Sequence, residues 1–145
     1  MIQGYLDPIR TQRVEKTITF TGASALGEVD VAVPLFTVTG EVLIERIMPL
    51  CTVNLAGATA TLALGVTGST ALFIAATTAT DIDANKFWVD TAPDANGIAL
   101  PAALKDIMIT DDIIGTPATE TITGGAIRIV IFWRPISADG MVVPA

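Results

Sequence analysis

The chain has 145 residues, a formal net charge of −7, no histidine and one cysteine. A chain of this length forms one domain around a single core, and the absence of histidine excludes His-based triads and the commonest zinc ligand. The eight lysines and arginines are scattered singly, whereas a nucleic-acid-binding protein needs clustered cations to displace counterions. We therefore expect no nucleic-acid partner, no metal and no cofactor, and the sequence predicts a protein that is not an enzyme.

Apolar residues are more abundant than a soluble monomer requires. Hydrophobic side chains make up 51% of the chain and charged ones 16%, against roughly 25% charged residues in an average domain. Part of this surplus is expected at contacts between subunits. The amino terminus lacks the cationic start and apolar run of a secretory signal, and no stretch approaches the ~18 apolar residues of a membrane helix. The sequence thus predicts synthesis in the cytoplasm and no membrane partner.

Residues 1–13 are predicted to form an extended N-terminal arm, because their isolated apolar residues follow neither a strand period nor a helix period. One interpretation is a frayed terminus. The other is an arm that contacts a neighbouring molecule through Tyr5, Leu6, Pro8 and Ile9.

Strands with alternating polarity follow the arm. Apolar and polar residues alternate over 14–20 and again over 29–33, where Pro34 is expected to end the pairing. The apolar region 41–53 is another strand, but its alternation is interrupted at its centre.

Two features of that third strand carry separate predictions. A β-bulge near Glu45 and Arg46 would shift the phase of the alternation. Pro49 would keep the later half of the strand at a sheet edge or end it, because proline has no backbone N–H.

The middle of the chain contains a predicted hairpin. A run with clear period 2 covers 60–66, and after a Thr-Gly-Ser turn the short strand 72–74 follows. Further predicted elements are a brief strand over 87–89, a surface loop over 90–100 and a helical turn within 101–106.

The most informative strand runs from Gly124 to Pro135. Alternate residues on a strand point to opposite faces, so one face is predicted to be core: Ile127, Ile129, Ile131 and Trp133. The other face carries two apolar residues between two arginines and is predicted to be covered by another sheet or by another subunit. The candidate subunit interface is Arg128, Val130, Phe132 and Arg134.

Eight to ten short strands with almost no helix predict an all-β fold, an antiparallel β-sandwich or a jelly-roll-like domain. The predicted organisation is an arm over 1–13, a sandwich domain over 14–136 and a short C-terminal tail over 137–145.

Few residues have the type and spacing of a metal-binding, catalytic or sugar-binding site. Asp81, Asp83 and Asn85 have the spacing of the first ligands of a calcium loop, but Lys86 and Ala92 replace the glycine and glutamate that such a loop needs, so a solvated turn is favoured. A second group comprises residues that a binding or catalytic role would use. Cys51 lies in an apolar stretch and is predicted to be a buried hydrophobe, whereas Trp88 and Trp133 are predicted to be core or interface residues rather than sugar-stacking residues.

The chain as a whole resembles the small structural proteins of tailed-bacteriophage virions, most of all head decoration (cement) proteins. The resemblance is carried by the Thr-, Ala- and Val-rich stretch 40–66 and by the later Phe87-Trp-Val-Asp90. It implies a β-sandwich without enzymatic activity that forms a homotrimer on the capsid surface of the virion. The implied partners are other copies of the chain and the major capsid protein or other virion proteins. The alternative is a carbohydrate-binding or adhesin-type β-sandwich, with Trp88 and the loop 90–100 at a sugar site.

Overall fold

The protein is described by a computed structural model over residues 10–145. Over this range the regular secondary structure is almost entirely β-strand, arranged as two packed antiparallel sheets. The predicted β-sandwich is therefore confirmed. In chain order the strands are β1 (Gln12–Thr19), β2 (Val33–Thr39), β3 (Val42–Ala56), β4 (Thr61–Val66), β5 (Ser69–Thr78), β6 (Lys86–Phe87), β7 (Asp94–Ala95), β8 (Lys105–Ile109), β9 (Ile113–Ala118), β10 (Gly124–Pro135) and β11 (Met141–Pro144).

The strands divide between two sheets. Sheet A has the order β1-β10-β3-β6-β7, and β8 also pairs with β3, near the start of that strand. Sheet B has the order β11-β2-β9-β4-β5. The helical content of the described residues is two short 3-10 turns, Ala79–Asp81 and Ala102–Leu104, and the second lies where the sequence predicts a helical turn.

Strand β10 is central to sheet A, as its alternation predicts. It pairs along its length with β1 on one side and with β3 on the other. The side chains of Ile127, Ile129, Ile131 and Trp133 are at most 4% exposed. Burying each contributes about 1.5–3 kcal/mol, so this face of β10 anchors the sandwich core.

The glycine at the start of β10 is required by its surroundings. Gly125 has a φ of +105°, a backbone conformation that side-chain-bearing residues rarely adopt. A Cβ atom at Gly125 would lie 2.6 Å from the carbonyl oxygen of Asn54 on β3. A side chain here would therefore push the β10 and β3 backbones apart.

Sheet B differs from sheet A in its charge. Each strand of sheet B lacks Asp, Glu, Lys and Arg, whereas the strands of sheet A carry all four residue types. The inward side chains of sheet B include Leu62, Leu64 and Ile113, each at most 2% exposed. Its outward side chains include Thr37, Thr61 and several alanines, so this face is solvated by hydroxyl and backbone groups without charge.

The predicted hairpin is confirmed as β4 and β5. Val66 lies opposite Ser69, which leaves Thr67 and Gly68 as a two-residue connection. Gly68 has a φ of +89° and Thr67 does not have a positive φ, so the turn has a left-handed residue only at its second central position, as a type II turn does.

The prediction that Pro34 ends the pairing is wrong, because β2 runs on through this residue to Thr39. Pro34 lies opposite Ile114 of β9. Its carbonyl oxygen accepts a hydrogen bond from Lys16 Nζ at 3.2 Å, and β11 pairs with β2 only from Phe36 onward. The missing N–H of Pro34 therefore falls beyond the end of β11 and removes no ladder bond.

Pro49 lies within a strand instead of ending it, and the other predicted outcome, a later half at the sheet edge, is confirmed, because past Leu50 none of the described strands pairs with β3 on the side away from β10. Strand β3 continues past Pro49 to Ala56 and stays paired with β10. The carbonyl oxygen of Pro49 accepts from the backbone N–H of Trp88 at 3.2 Å, on the side away from β10. On that side Pro49 lies between the stretch that pairs with β8 and the residue that pairs with β6, so the strand tolerates a residue without an N–H.

The packed domain extends beyond both predicted boundaries. Gln12 and Arg13, predicted within the arm, belong to β1. Residues 137–145, predicted as a tail, include β11, which pairs with β2 and buries Val142. The two sheet edges are joined there, because Lys16 Nζ donates to the carbonyl oxygen of Ala145 at 2.5 Å.

Candidate interaction surface

The four predicted interface residues lie together on the outward face of β10. Arg128 is exposed, and Val130, Phe132 and Arg134 are half-buried. Sheet B packs against the opposite face of β10, so no second sheet covers these side chains within residues 10–145. We call the solvent-facing side of sheet A, centred on these residues, the outer face of sheet A.

Neighbouring strands extend this outer face on both sides. Phe132 lies between Arg13 of β1 and Arg46 of β3, and Val130 lies between Glu15 and Met48. A band of apolar side chains thus crosses the sheet. Its members are Met48 and Leu50 on β3, Phe87 on β6, and Val130 and Phe132 on β10.

Ion pairs surround the apolar band. Arg13 and Arg128 both approach Glu15, at 3.0 Å and 3.9 Å. The remaining pairs on this face are Arg134 with Glu45 at 3.1 Å and Arg46 with Asp106 at 3.4 Å. Exposed pairs of this kind contribute about 0.2–1 kcal/mol each, so their main effect is to hold the arginines beside the apolar side chains.

The outer face of sheet A is positive although the chain is acidic. Its cations are Arg13, Arg46, Lys105, Arg128 and Arg134, and its carboxylates are Glu15, Glu45, Asp94 and Asp106. Five cations against four carboxylates give this face a charge of +1, whereas the whole chain carries −7. A partner surface with an apolar centre and acidic margins would match it.

The predicted bulge in β3 shapes this face and is confirmed. Phe132 lies opposite Arg46 while Trp133 lies opposite Ile44, so Glu45 has no partner on β10. The Glu45 carboxylate accepts from Arg134 Nε at 3.1 Å and from Thr11 Oγ1 at 2.6 Å. The extra residue therefore connects β3 with β10 and with Thr11, the residue before β1, on the outer side.

The apolar members on β3 and β6 are residues that sequence reasoning missed. Arg46, Met48 and Leu50 face outward, whereas Val42 and Ile44 at the same even spacing face the core, because the bulge shifts the phase at Glu45. Alternation counted from the bulge would have placed Met48 and Leu50 beside Val130. Phe87 has no such signal, since β6 is only two residues long.

Two grooves adjoin the outer face. The side groove, about 270 Å³, lies where Met48 and Phe87 meet the loop residues Ile98 and Leu100. The end groove, about 300 Å³, lies at the end of sheet A where β10 finishes and β8 joins the next loop. The end groove has an apolar lining of Val66, Leu72, Met108, Ile109 and Ile136.

Both tryptophans lie in the core, as predicted. Trp88 is 1% exposed, and its Nε1 donates to Thr77 Oγ1 at 3.0 Å. Trp133 is buried on the inward face of β10. Neither ring presents a flat face to solvent, which argues against a sugar-stacking role for Trp88 beside the loop 90–100.

Cys51 is a buried side chain, as predicted, with its Sγ 3.1 Å from the carbonyl oxygen of Val53 and 3.5 Å from that of Ile82. Desolvation raises the pKa of Cys51 to about 11. The thiolate is the nucleophilic form, so this thiol is unreactive at neutral pH.

The acidic residues form structural contacts. Asp83 pairs with Lys86 at 3.6 Å, and Asn85 adopts a φ of +68° in the same turn. Asp112 Oδ1 accepts from the backbone N–H of Val38 at 2.8 Å. Within residues 10–145, no three His, Cys, Asp or Glu side chains are grouped as metal ligands would be.

The predicted capsid-contacting residues Tyr5, Leu6, Pro8 and Ile9 lie outside the described residues. Over residues 10–145 there is no helix long and apolar enough to cross a membrane.

Comparison with known proteins gives no match to a family model, to a curated protein or to a solved structure.

Proposed function

We propose that this protein is a non-enzymatic structural protein of a tailed-bacteriophage virion, a decoration (cement) protein that stabilises the capsid. In this proposal it forms a homotrimer and binds the outer surface of the shell, where its partners are the major capsid protein or other virion proteins. The observation that carries the proposal is the outer face of sheet A, where Val130 and Phe132 lie uncovered between ion-paired arginines.

The chemistry of this face supports self-association. Interface centres are rich in aromatic residues, Met and Arg, and Phe132, Met48 and Arg46 are adjacent in the register of sheet A. The arginines are already oriented by carboxylates of their own chain, so little side-chain freedom remains to be lost on binding. Several weak contacts on one rigid oligomer then hold the shell, because each bound contact raises the effective concentration of the next.

The experiment is the molar mass in solution, measured by light scattering at micromolar concentration. We expect a trimer for the native chain and a monomer for Phe132→Glu, because the substitution places a carboxylate in the apolar centre. Thr37→Glu is the matched control, an exposed strand residue on sheet B, and should remain trimeric. A native chain that is monomeric, or a Phe132→Glu protein that is still trimeric, would reject the interface.

Capsid attachment is measured by co-sedimentation with shells assembled without this protein. The deletion should remove residues 1–9 only, because Gln12 and Arg13 pair within β1. We expect the shortened protein to stay folded and trimeric but to lose attachment. Unchanged attachment would reject the role of the anchors Tyr5, Leu6, Pro8 and Ile9.

A further inference from the structure

Asn96 and Gly97 form a turn at the rim of the side groove, which they line together with Met48 and Phe87 of the outer face. Both residues of the turn are exposed. Asn96 has a φ of +69°, a conformation that asparagine adopts more readily than most residues. The Gly97 N–H donates to the carbonyl oxygen of Ala95 at 2.9 Å, whereas the Asn96 carboxamide makes no hydrogen bond within residues 10–145.

An asparagine side chain in this setting can react with the backbone that follows it. The Gly97 nitrogen attacks Asn96 Cγ, the Cγ–Nδ2 bond breaks, and ammonia leaves with the proton of the backbone amide. The product is a five-membered succinimide ring. Water then opens the ring at either of its carbonyl carbons and gives aspartate or isoaspartate. The net reaction consumes water, releases ammonia and replaces a neutral carboxamide by a carboxylate.

Gly97 leaves this attack unobstructed. Glycine has no Cβ, and within residues 10–145 no atom other than those of the chain neighbours lies within 4 Å of the place where a Cβ of Gly97 would be. Attack within a molecule is fast when the reacting atoms can approach each other in the right geometry. The nitrogen of Gly97 therefore meets little hindrance on its way to the carboxamide.

The chain has two other asparagines, and each differs from Asn96 in one informative way. Asn85 is also exposed and has a φ of +68°, but Lys86 follows it, and the lysine side chain crowds the attacking nitrogen. Asn54 has its carboxamide held in place, because its Oδ1 accepts from the backbone N–H of Ala84 at 2.7 Å. Asn85 is thus a matched comparison for Asn96 within the same molecule.

We propose that Asn96 is a site of spontaneous deamidation, which places a carboxylate at the rim of the side groove. The new carboxylate lies beside Met48 and Phe87, two members of the apolar band. Its effect on association rests on the proposed function. If copies of the chain pack through the outer face, an added charge at the margin of the band has to be desolvated or paired, so the trimer weakens as the molecule ages.

The chemical step is tested by incubating the native chain at neutral pH and physiological temperature, then unfolding it and digesting it with trypsin. Trypsin releases Asn96 in the peptide 87–105, where it is the only carboxamide side chain, and Asn85 in the peptide 47–86. Mass spectrometry then measures the conversion of each asparagine, and protein digested without incubation gives the conversion that the digest itself causes.

We expect Asn96 to be converted about ten times faster than Asn85, because a small misplacement of the attacking atom costs at least a factor of this order. The product should elute as two species of equal mass, the aspartate and isoaspartate peptides. Conversion of Asn96 no faster than that of Asn85 would overturn the proposal.

The effect on association is measured by light scattering on Asn96→Asp, which carries the charge of the product from the start. We expect its trimer to dissociate at a concentration several-fold higher than that of the native chain. Asn85→Asp is the control, since it adds the same charge in a turn that does not line the side groove. Equal association of the two variants would reject the effect on the interface. A native chain that is monomeric would reject the proposed function instead, and the mass measurement would still decide whether Asn96 deamidates.

Discussion

Phe132 and Arg46 lie opposite each other between β10 and β3, yet the next residue of β10, Trp133, lies opposite Ile44. Glu45 is the extra residue that this offset leaves. The bulge lets Val42 and Ile44 face the core before it, and Ile47 and Cys51 face the core after it. A strand without the extra residue could bury only one of these pairs.

Deleting Glu45 should therefore be far more damaging than replacing it. Loss of the residue turns one buried pair outward, and each large side chain contributes about 1.5–3 kcal/mol, so we expect the protein not to fold or to lose most of its stability. Glu45→Ala removes only the contacts with Arg134 and Thr11 and should cost about 1 kcal/mol or less. Urea unfolding followed by circular dichroism measures both, and equal losses would contradict this role of the bulge.

Removing only the acceptor of the hydrogen bond between Trp88 and Thr77 should destabilise the folded protein. Thr77 Oγ1 accepts from Trp88 Nε1 at 3.0 Å and lies 2.9 Å from the carbonyl oxygen of Ala75. Thr77→Val leaves a buried N–H without an acceptor, and we expect a loss of about 1–3 kcal/mol in the free energy of unfolding.

The matched control is Thr78→Val, on the exposed neighbouring position, which should change stability little. In a Trp88→Phe background the effect of Thr77→Val should shrink, because no indole N–H remains to be satisfied. Equal effects in both backgrounds would show that this hydrogen bond does not stabilise the fold.

Glu120 should make stability depend on pH in the acid range. Its carboxylate accepts from the backbone N–H of Thr59 at 2.7 Å and from the Thr59 hydroxyl at 2.8 Å. These hydrogen bonds lower the pKa of Glu120 in the folded protein. A lowered folded-state pKa stabilises the fold above the unfolded pKa of about 4.5, and this stabilisation is lost as the pH falls through the folded pKa.

The measurement compares the melting temperature of the native chain with that of Glu120→Gln between about pH 3 and pH 7, a range that includes the ordinary pKa of a glutamate. We expect the native chain to be the more stable at the upper end and the difference to shrink toward the lower end. A difference that does not change with pH would contradict the role of the ionised carboxylate.

Cys51 should resist thiol reagents while the protein is folded. Because burial raises its pKa to about 11, almost no thiolate is present at neutral pH, and we expect labelling only after unfolding in urea. Val53→Cys provides an exposed thiol two residues away and should react at once. Rapid labelling of Cys51 in the native chain would show that the thiol is accessible.

The same raised pKa predicts falling stability in alkali. Between the ordinary value of 9.0 and about 11 the unfolded chain loses the thiol proton while the folded chain keeps it. The free energy of unfolding should decrease over this range, and Cys51→Ala should remove that part of the dependence. Parallel pH profiles for the two proteins would contradict the assignment.

Alternation predicted the fold wherever one face of a strand is buried over several residues. The hairpin of β4 and β5 and the core face of β10 are examples, because burial of alternate side chains leaves a period of 2 in the sequence. Even the bulge in β3 was predicted, since it leaves a visible phase shift near Glu45.

Strands with little burial or with proline gave no such signal. Strand β11 has four residues and buries only Val142. A single buried residue gives no alternation, so the sequence of β11 looks the same as that of an unstructured tail. In the sequence alone, Pro34 and Pro49 are typical of a strand end or edge. In the structure, the backbone nitrogen of each proline points to a side of its strand where no neighbouring strand pairs with that residue, so no inter-strand hydrogen bond is missing. That position depends on the lengths of neighbouring strands, which a local pattern does not contain.

The candidate surface was predicted in part. The four residues on β10 lie on one outward face, but Met48 and Leu50 join them through the phase shift, and Phe87 joins through pairing between distant parts of the chain. Residues assembled by sheet order cannot be found from spacing along one strand.

The different charge of sheets A and B affects how the protein adsorbs on a charged surface. Five arginine and lysine side chains lie on the solvent side of sheet A, whereas the strands of sheet B carry no charge. On freshly cleaved mica, which is negatively charged, the protein should adsorb in one orientation, with Phe132 toward the mineral and Thr37 toward the liquid.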